Sequence, residues 1–210
     1  FQPASVMGVT KRLGEMIVST VARRSGQAYF TVRLSNVLES SGGVHALFRR
    51  QIEGGGPVTI THPDAQRLFV TAAETAGLLL EALGLGKPGD ILALAAGDKT
   101  NIADLALRLI GSYGLQAGRD IDIEYIGLRR GERLVEEITL DGSAWLSTTH
   151  NKILVSAIDG VTVPAAGFEN SIRDFVLVAN SGDSDAVLEK MRDICRSFLD
   201  SVDWDTHVSS

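Results

Sequence analysis

Helix-like stretches and short runs of β-formers alternate along most of this sequence, and that alternation constrains the fold more than any other feature. Residues 5–24 are expected to form a helix capped by Ser5, because Val6, Val9, Leu13, Met16, Ile17 and Val21 recur at helical spacing. Ser25-Gly26 ends it, and residues 28–34 read as a strand. A polar loop over 35–43 leads into a short helix at 44–53, which Gly54-Gly55-Gly56-Pro57 stops. Strand 58–61, helix 72–83 and the continuous apolar strand 91–95 follow. Asn101 caps a helix reaching Tyr113, and residues 121–126 alternate as a half-exposed strand. One or two charged helical turns are expected over 130–138, and a last short strand over 152–156. Helices at 168–180 and 185–199 close the chain. The class is α/β, with residues 1–163 forming the α/β part and residues 164–210 a helical tail.

Several chemistries are excluded early. The charge, 20 Lys+Arg against 26 Asp+Glu, leaves a net −6. Such a chain lacks the basic footprint of a nucleic-acid binder, so an anionic ligand must rely on a few placed arginines. The single cysteine, Cys195, makes no internal disulfide and lies on an amphipathic pattern, where a buried structural thiol is expected. His45, His62, His150 and His207 are scattered, so no metal site is expected. The most apolar stretch, residues 70–85, is broken by Glu74 and Glu81, and no signal peptide is recognisable. The chain reads as cytoplasmic. A dinucleotide-binding unit needs a glycine-rich turn between a strand and a helix. Gly54-Gly55-Gly56 stands between a helix and a strand instead, and no other glycine cluster qualifies.

Four stretches could carry chemistry. Met7 and Lys11 are four residues apart and share a face of the first helix. A Tyr-x-x-x-Lys pair at such spacing serves proton transfer beside a nicotinamide ribose. Methionine at the tyrosine position supplies no phenol, and Lys11 beside Arg12 reads equally as a solvated helix face. Asn36 follows the strand V-R-L, at the kind of strand end where open α/β sheets collect ligands. Ser40-Ser41-Gly42-Gly43 could offer backbone N–H groups to an anion, or be an ordinary polar turn. Arg67 sits at the edge of an apolar run, and Arg129 and Arg130 follow a strand. Paired arginines hold pyrophosphates through charge-assisted bonds, although Glu132, Glu136 and Glu137 nearby suggest ordinary ion pairs.

The order of these stretches carries more than any one of them. V-M-G-V-T-K-R, then V-R-L-S-N-V-L-E-S-S-G, P-V-T-I-T-H-P-D and G-L-R-R-G-E-R-L-V-E-E together resemble the CapD-like nucleotide-sugar 4,6-dehydratases and epimerases of polysaccharide biosynthesis. That family is a branch of the extended short-chain dehydrogenase/reductase superfamily. The resemblance covers about residues 3–156. It implies the carboxyl-terminal part of a Rossmann-like fold, with a substrate-binding subdomain and a helical tail.

It also implies a lyase that uses NAD or NADP to convert a UDP-N-acetylhexosamine into a 4-keto-6-deoxy sugar. A UDP-sugar epimerase and a non-catalytic nucleotide-sugar-binding module are the alternatives. By the same resemblance Met7 and Lys11 are catalytic positions, methionine being usual in the large membrane-associated members, and Lys11 is the cofactor-ribose lysine. Asn36, Arg67 and Arg129 match the substrate-binding asparagine and pyrophosphate arginines, and Val58, Ile60 and Thr61 fall near the uracil wall. Leu34, Ser35, Glu39 and Arg130 stand where an aromatic residue, two glycines and a proline are usual. The family's NAD(P) turn, an Asp-Lys pair and any membrane helices would all precede Phe1. The chain alone is therefore expected to be inactive, and to associate with itself or with that preceding part.

Overall fold

The computed structural model describes residues 5–129, 131–136, 145–157 and 167–198. The first helix, α1 (Val6–Ser25), starts where expected, with the Ser5 hydroxyl accepting the Gly8 N–H at 3.1 Å. It ends at Gly26, whose φ of 67° is the left-handed value that a helix-terminating glycine supplies without strain.

A four-stranded sheet follows the order β1 (Thr31–Arg33), β5 (Ile91–Leu94), β9 (Ile153–Ser156), β8 (Trp145–Ser147). β1 and β5 are parallel, and the other two pairings are antiparallel. All four residues of β5 are buried because both faces of the sheet are covered. Ile91 packs with Val9, Leu13 and Met16 of α1, and with residues of α5 (Phe168–Ala179) and α6 (Ser184–Phe198). Leu92 and Leu94 point the other way, onto Leu78 and Ala82 of α3 (Ala72–Leu85). The two last helices thus share a core with α1; Pro164, the expected start of the tail, lies outside the described residues. Cys195 is fully buried in that core, and burial pushes its thiol up to about 12.

A second unit holds the candidate site. β2 (Asn36–Val37) runs parallel to β4 (Gln66–Val70), and β4 pairs antiparallel with β6 (Asp98–Asn101). β3 (Val58–Ile60) and β7 (Ile123–Tyr125) form a separate parallel pair. Helices α2 (Val44–Glu53) and α4 (Ile102–Ser112) cover this pair, burying Phe48, Ile52, Ala106 and Ile110 against Val58 and Ile60. Asn101 caps α4 as expected, its side-chain oxygen accepting the Ala103 and Asp104 N–H groups.

The α/β expectation holds, and three local readings are corrected. The strand expected at 28–34 is confined to Thr31–Arg33, because the carbonyl of Tyr29 bonds the Gly89 N–H in the turn before β5. No helix forms over residues 131–136. Gly131 takes a φ of 72°, and the Leu134 carbonyl accepts the Gln66 N–H at 2.8 Å, so this stretch lies along β4. Tertiary pairing there overrides the local charge pattern; Arg130, Glu137 and Ile138 lie outside the described residues. Strands β4, β6 and β8 are not expected from the sequence, and β2 forms within the expected polar loop over 35–43.

Candidate functional site

Beyond the carboxyl ends of β3 and β7 lies a cavity of about 570 Å³. Its walls include Met7 at the front of α1, Asn36 on β2, Thr61 after β3, Arg67 on β4, Arg129 after β7, and the amino-terminal end of α2. Four of the five predicted site residues, Met7, Asn36, Arg67 and Arg129, are therefore brought together from four separate segments. Met7 is 70% exposed and lines the cavity. Lys11 is the one left out: it is exposed on α1 but does not line the cavity, and it has no bonded partner among the described residues.

Two carboxylates organise the polar wall. Glu132 accepts three hydrogen bonds, from the Thr61 hydroxyl at 2.9 Å, Arg67 Nη2 at 2.8 Å and the Arg129 backbone N–H at 3.1 Å. Glu136 reaches Arg67 Nε at 3.0 Å and accepts from Asn36 Nδ2 at 2.7 Å. The remaining Arg67 nitrogen, Nη1, donates to the carbonyls of Gln66 and Leu134. Both terminal nitrogens of a guanidinium only 12% exposed are thus hydrogen-bonded and its Nε is ion-paired, and the side chain is held in one orientation. Arg129 keeps its own side chain exposed and contributes only its backbone to this network.

Sequence reading assigned Glu132 and Glu136 to the arginines beside them, whereas they engage Arg67, 65 positions away in the case of Glu132. Only the pairing of the 131–136 stretch with β4 reveals this. On the expected uracil wall, Val58 is fully buried in the core, while Thr59, Ile60 and Thr61 line the cavity. The strand period of two turns Val58 and Ile60 inward and Thr59 between them outward, with Ile60, at the end of the strand, also reaching the cavity. Glu39, where the family usually has glycine, has a φ of 61°. That is the left-handed region glycine occupies without penalty, which gives the usual glycine a physical reason.

Among the described residues no cluster of three or more His, Cys, Asp or Glu could hold a metal ion, and no helix is long and apolar enough to cross a membrane. The fold and the cavity's place past parallel strand ends define a Rossmann-like α/β protein of the extended short-chain dehydrogenase/reductase type. The family model described as polysaccharide biosynthesis protein matches residues 1–157, and the chain belongs to that family.

Its relatives include the capsular polysaccharide biosynthesis protein CapD of Staphylococcus aureus, 40% identical over 75% of this chain. The probable polysaccharide biosynthesis protein EpsC of Bacillus subtilis is 40% identical over the same share. The chain spans 26% of the length of each. UDP-glucose 4-epimerase of Rickettsia canadensis is 33% identical over 65% of this chain and 39% of its own. Among solved structures, Pen from Bacillus thuringiensis matches 73% of this chain and 48% of its own, with a TM-score of 0.59 and 26% identity. The dTDP-glucose 4,6-dehydratase DesIV of Streptomyces venezuelae shares the fold, with a TM-score of 0.54 at 19% identity over 64% of this chain and 42% of its own.

Proposed function

We propose that this chain forms the nucleotide-sugar-binding part of a UDP-N-acetylhexosamine 4,6-dehydratase of surface polysaccharide biosynthesis. The supporting observation is the convergence of Asn36, Arg67 and Arg129 on one cavity, at the strand ends where such folds take ligands. In this reading Arg67 and Arg129 hold the pyrophosphate, Asn36 donates to a phosphate or sugar oxygen, and Thr59, Ile60 and Thr61 flank the base. Met7 borders the sugar, a position without a proton to give.

The residues present do not fit a complete site for the implied NAD or NADP. Gly84, Gly86 and Gly89 have the spacing of a dinucleotide turn but join α3 to β5, helix to strand, the reverse of the required order. Gly86 serves packing, since a Cβ there would meet the Phe30 ring at 2.7 Å. Lys11 alone would not hold the cofactor, so in this reading the nicotinamide site is supplied from outside these 210 residues, and the chain by itself is inactive. Turnover of UDP-N-acetylglucosamine by this chain with added NAD would overturn that statement.

The binding reading is tested by calorimetric titration with UDP. Binding is expected in the unaltered chain and weaker by about tenfold or more in Arg67→Ala and in Arg129→Ala, as removal of a charge-assisted bond implies. Unchanged affinity in both variants would refute it. An epimerase is the second reading, favoured by the 33% identity to UDP-glucose 4-epimerase of Rickettsia canadensis. Product analysis with the chain joined to a nicotinamide-binding part separates a 4-keto-6-deoxy sugar from a 4-epimer.

A further inference from the structure

Arg67 and Asn36, two of the three side chains assigned to the nucleotide sugar, meet on a single carboxylate. Glu136 reaches Arg67 Nε at 3.0 Å with one oxygen, and its other oxygen accepts from Asn36 Nδ2 at 2.7 Å. A guanidinium nitrogen at ion-pair distance and an amide N–H, meeting on two oxygens of one anion, would serve a phosphate equally well. We propose that Glu136 is an internal stand-in for the ligand phosphate. Its carboxylate holds Arg67 and Asn36 in binding orientation, and it swings away when a phosphate takes the same two donors. This rests on the nucleotide-sugar reading above and adds a competitor built into that site.

Arg67 is already engaged by two carboxylates, so an anion that takes it must displace one. In the cavity wall the carboxylates of Glu132 and Glu136 offset two of the three guanidinium charges of Arg67, Arg129 and Arg133. A pyrophosphate entering beside both carboxylates would bring like charges together where water is partly excluded. Which of the two moves follows from exposure and bonding. Glu132 is 20% exposed and accepts three hydrogen bonds from three segments, so stripping it leaves a poorly hydrated anion. Glu136 is 48% exposed and gives up two donors, and water can solvate it once it turns outward. Glu132 therefore stays as the fixed orienter of Arg67, and Glu136 exchanges. A ligand must outcompete this carboxylate, which lowers the apparent affinity of any anion and penalises weak monoanions most.

The test is calorimetric titration of the 210-residue chain and its variants with UDP at one fixed salt concentration. Glu136→Gln is expected to bind UDP about three- to tenfold more tightly, because the displaced competitor has lost its charge. Glu39→Gln is the control for charge alone: Glu39 is exposed on the loop leading to α2 and bonds neither Arg67 nor Asn36, so its affinity is expected to stay within about twofold of the parent. Far-ultraviolet circular dichroism and thermal melts establish that each variant is folded. Equal or weaker binding by Glu136→Gln, in a parent that binds UDP through Arg67, overturns the stand-in while leaving the binding reading intact. An equal gain in Glu39→Gln also overturns it. Absence of UDP binding in the parent and in Glu136→Gln removes both.

Discussion

Arg33 and Arg67 are two arginines with equally hidden side chains, each 12% exposed, and they are used in opposite ways. Arg33 grips Glu15 of α1 through two parallel bonds, Nε to Oε1 at 2.6 Å and Nη2 to Oε2 at 2.8 Å. Arg12 adds a third bond to the same carboxylate at 3.0 Å, and the Trp145 ring lies 5.6 Å from the Arg33 guanidinium carbon. Glu15 is itself only 9% exposed, so the carboxylate that grips Arg33 lies in the core and is not open to exchange with a ligand. Arg67 instead binds two carboxylates on the rim of a cavity, one of them half-exposed. What separates a structural arginine from a candidate binding arginine here is the exchangeability of its partners, since burial of the guanidinium is the same.

The comparison predicts its largest effect at Glu15. Glu15→Ala strands two guanidinium groups in a poorly solvated place and is expected to cost about 3–5 kcal/mol in urea unfolding, with the UDP affinity of the surviving folded fraction unchanged. A cost below about 1 kcal/mol, the range of a surface pair, would erase the distinction. The same group supplies a pH signature. Burial pushes the Glu15 carboxyl up, but the bonds and charges of Arg33 and then Arg12 outweigh it and hold the group below the ordinary carboxylate value. Its folded pKa being the lower one, its stabilisation is complete above the unfolded value of about 4.3 and fades as pH falls through the folded value. The melting temperature should therefore drop on acidification below that region, and the Glu15→Gln variant should lack this part of the drop.

The same contrast marks what could be read from residues alone. The helices were legible because caps and periods are local: Ser5 and Asn101 stand where the structure uses them. The buried strand β5 was legible as an unbroken apolar run. Strand β6 was not, because Asp98-Lys99-Thr100-Asn101 has no apolar alternation and is a strand only by pairing with β4. At the candidate site the arginines and Asn36 stood out through the order of their motifs, and the structure gathers them. The carboxylate network did not stand out. Glu132 and Glu136 sit four apart, which looks like one helix face, and their partner Arg67 is remote in sequence. Ion pairing between distant segments leaves no period to read, so Arg33 and Arg67 look alike until their partners are located.

The smallest expected effect is the stability cost of Arg67→Ala, and it is the one that tests the comparison from the other side. Removing this guanidinium takes bonds from Glu132 and Glu136, yet Glu136 turns to water and Glu132 keeps the Thr61 hydroxyl and the Arg129 N–H. The loss should be about 1–2 kcal/mol, well under that of Glu15→Ala, even though the same substitution is expected to abolish most UDP binding. Urea unfolding of the two variants side by side, paired with the UDP titration, gives two orderings that should run in opposite directions. If Arg67→Ala unfolds as readily as Glu15→Ala, Arg67 is a structural tie like Arg33. The cavity's polar wall would then be a consequence of holding β4 against residues 131–136, rather than an anion site that the fold keeps in tension with its own carboxylates.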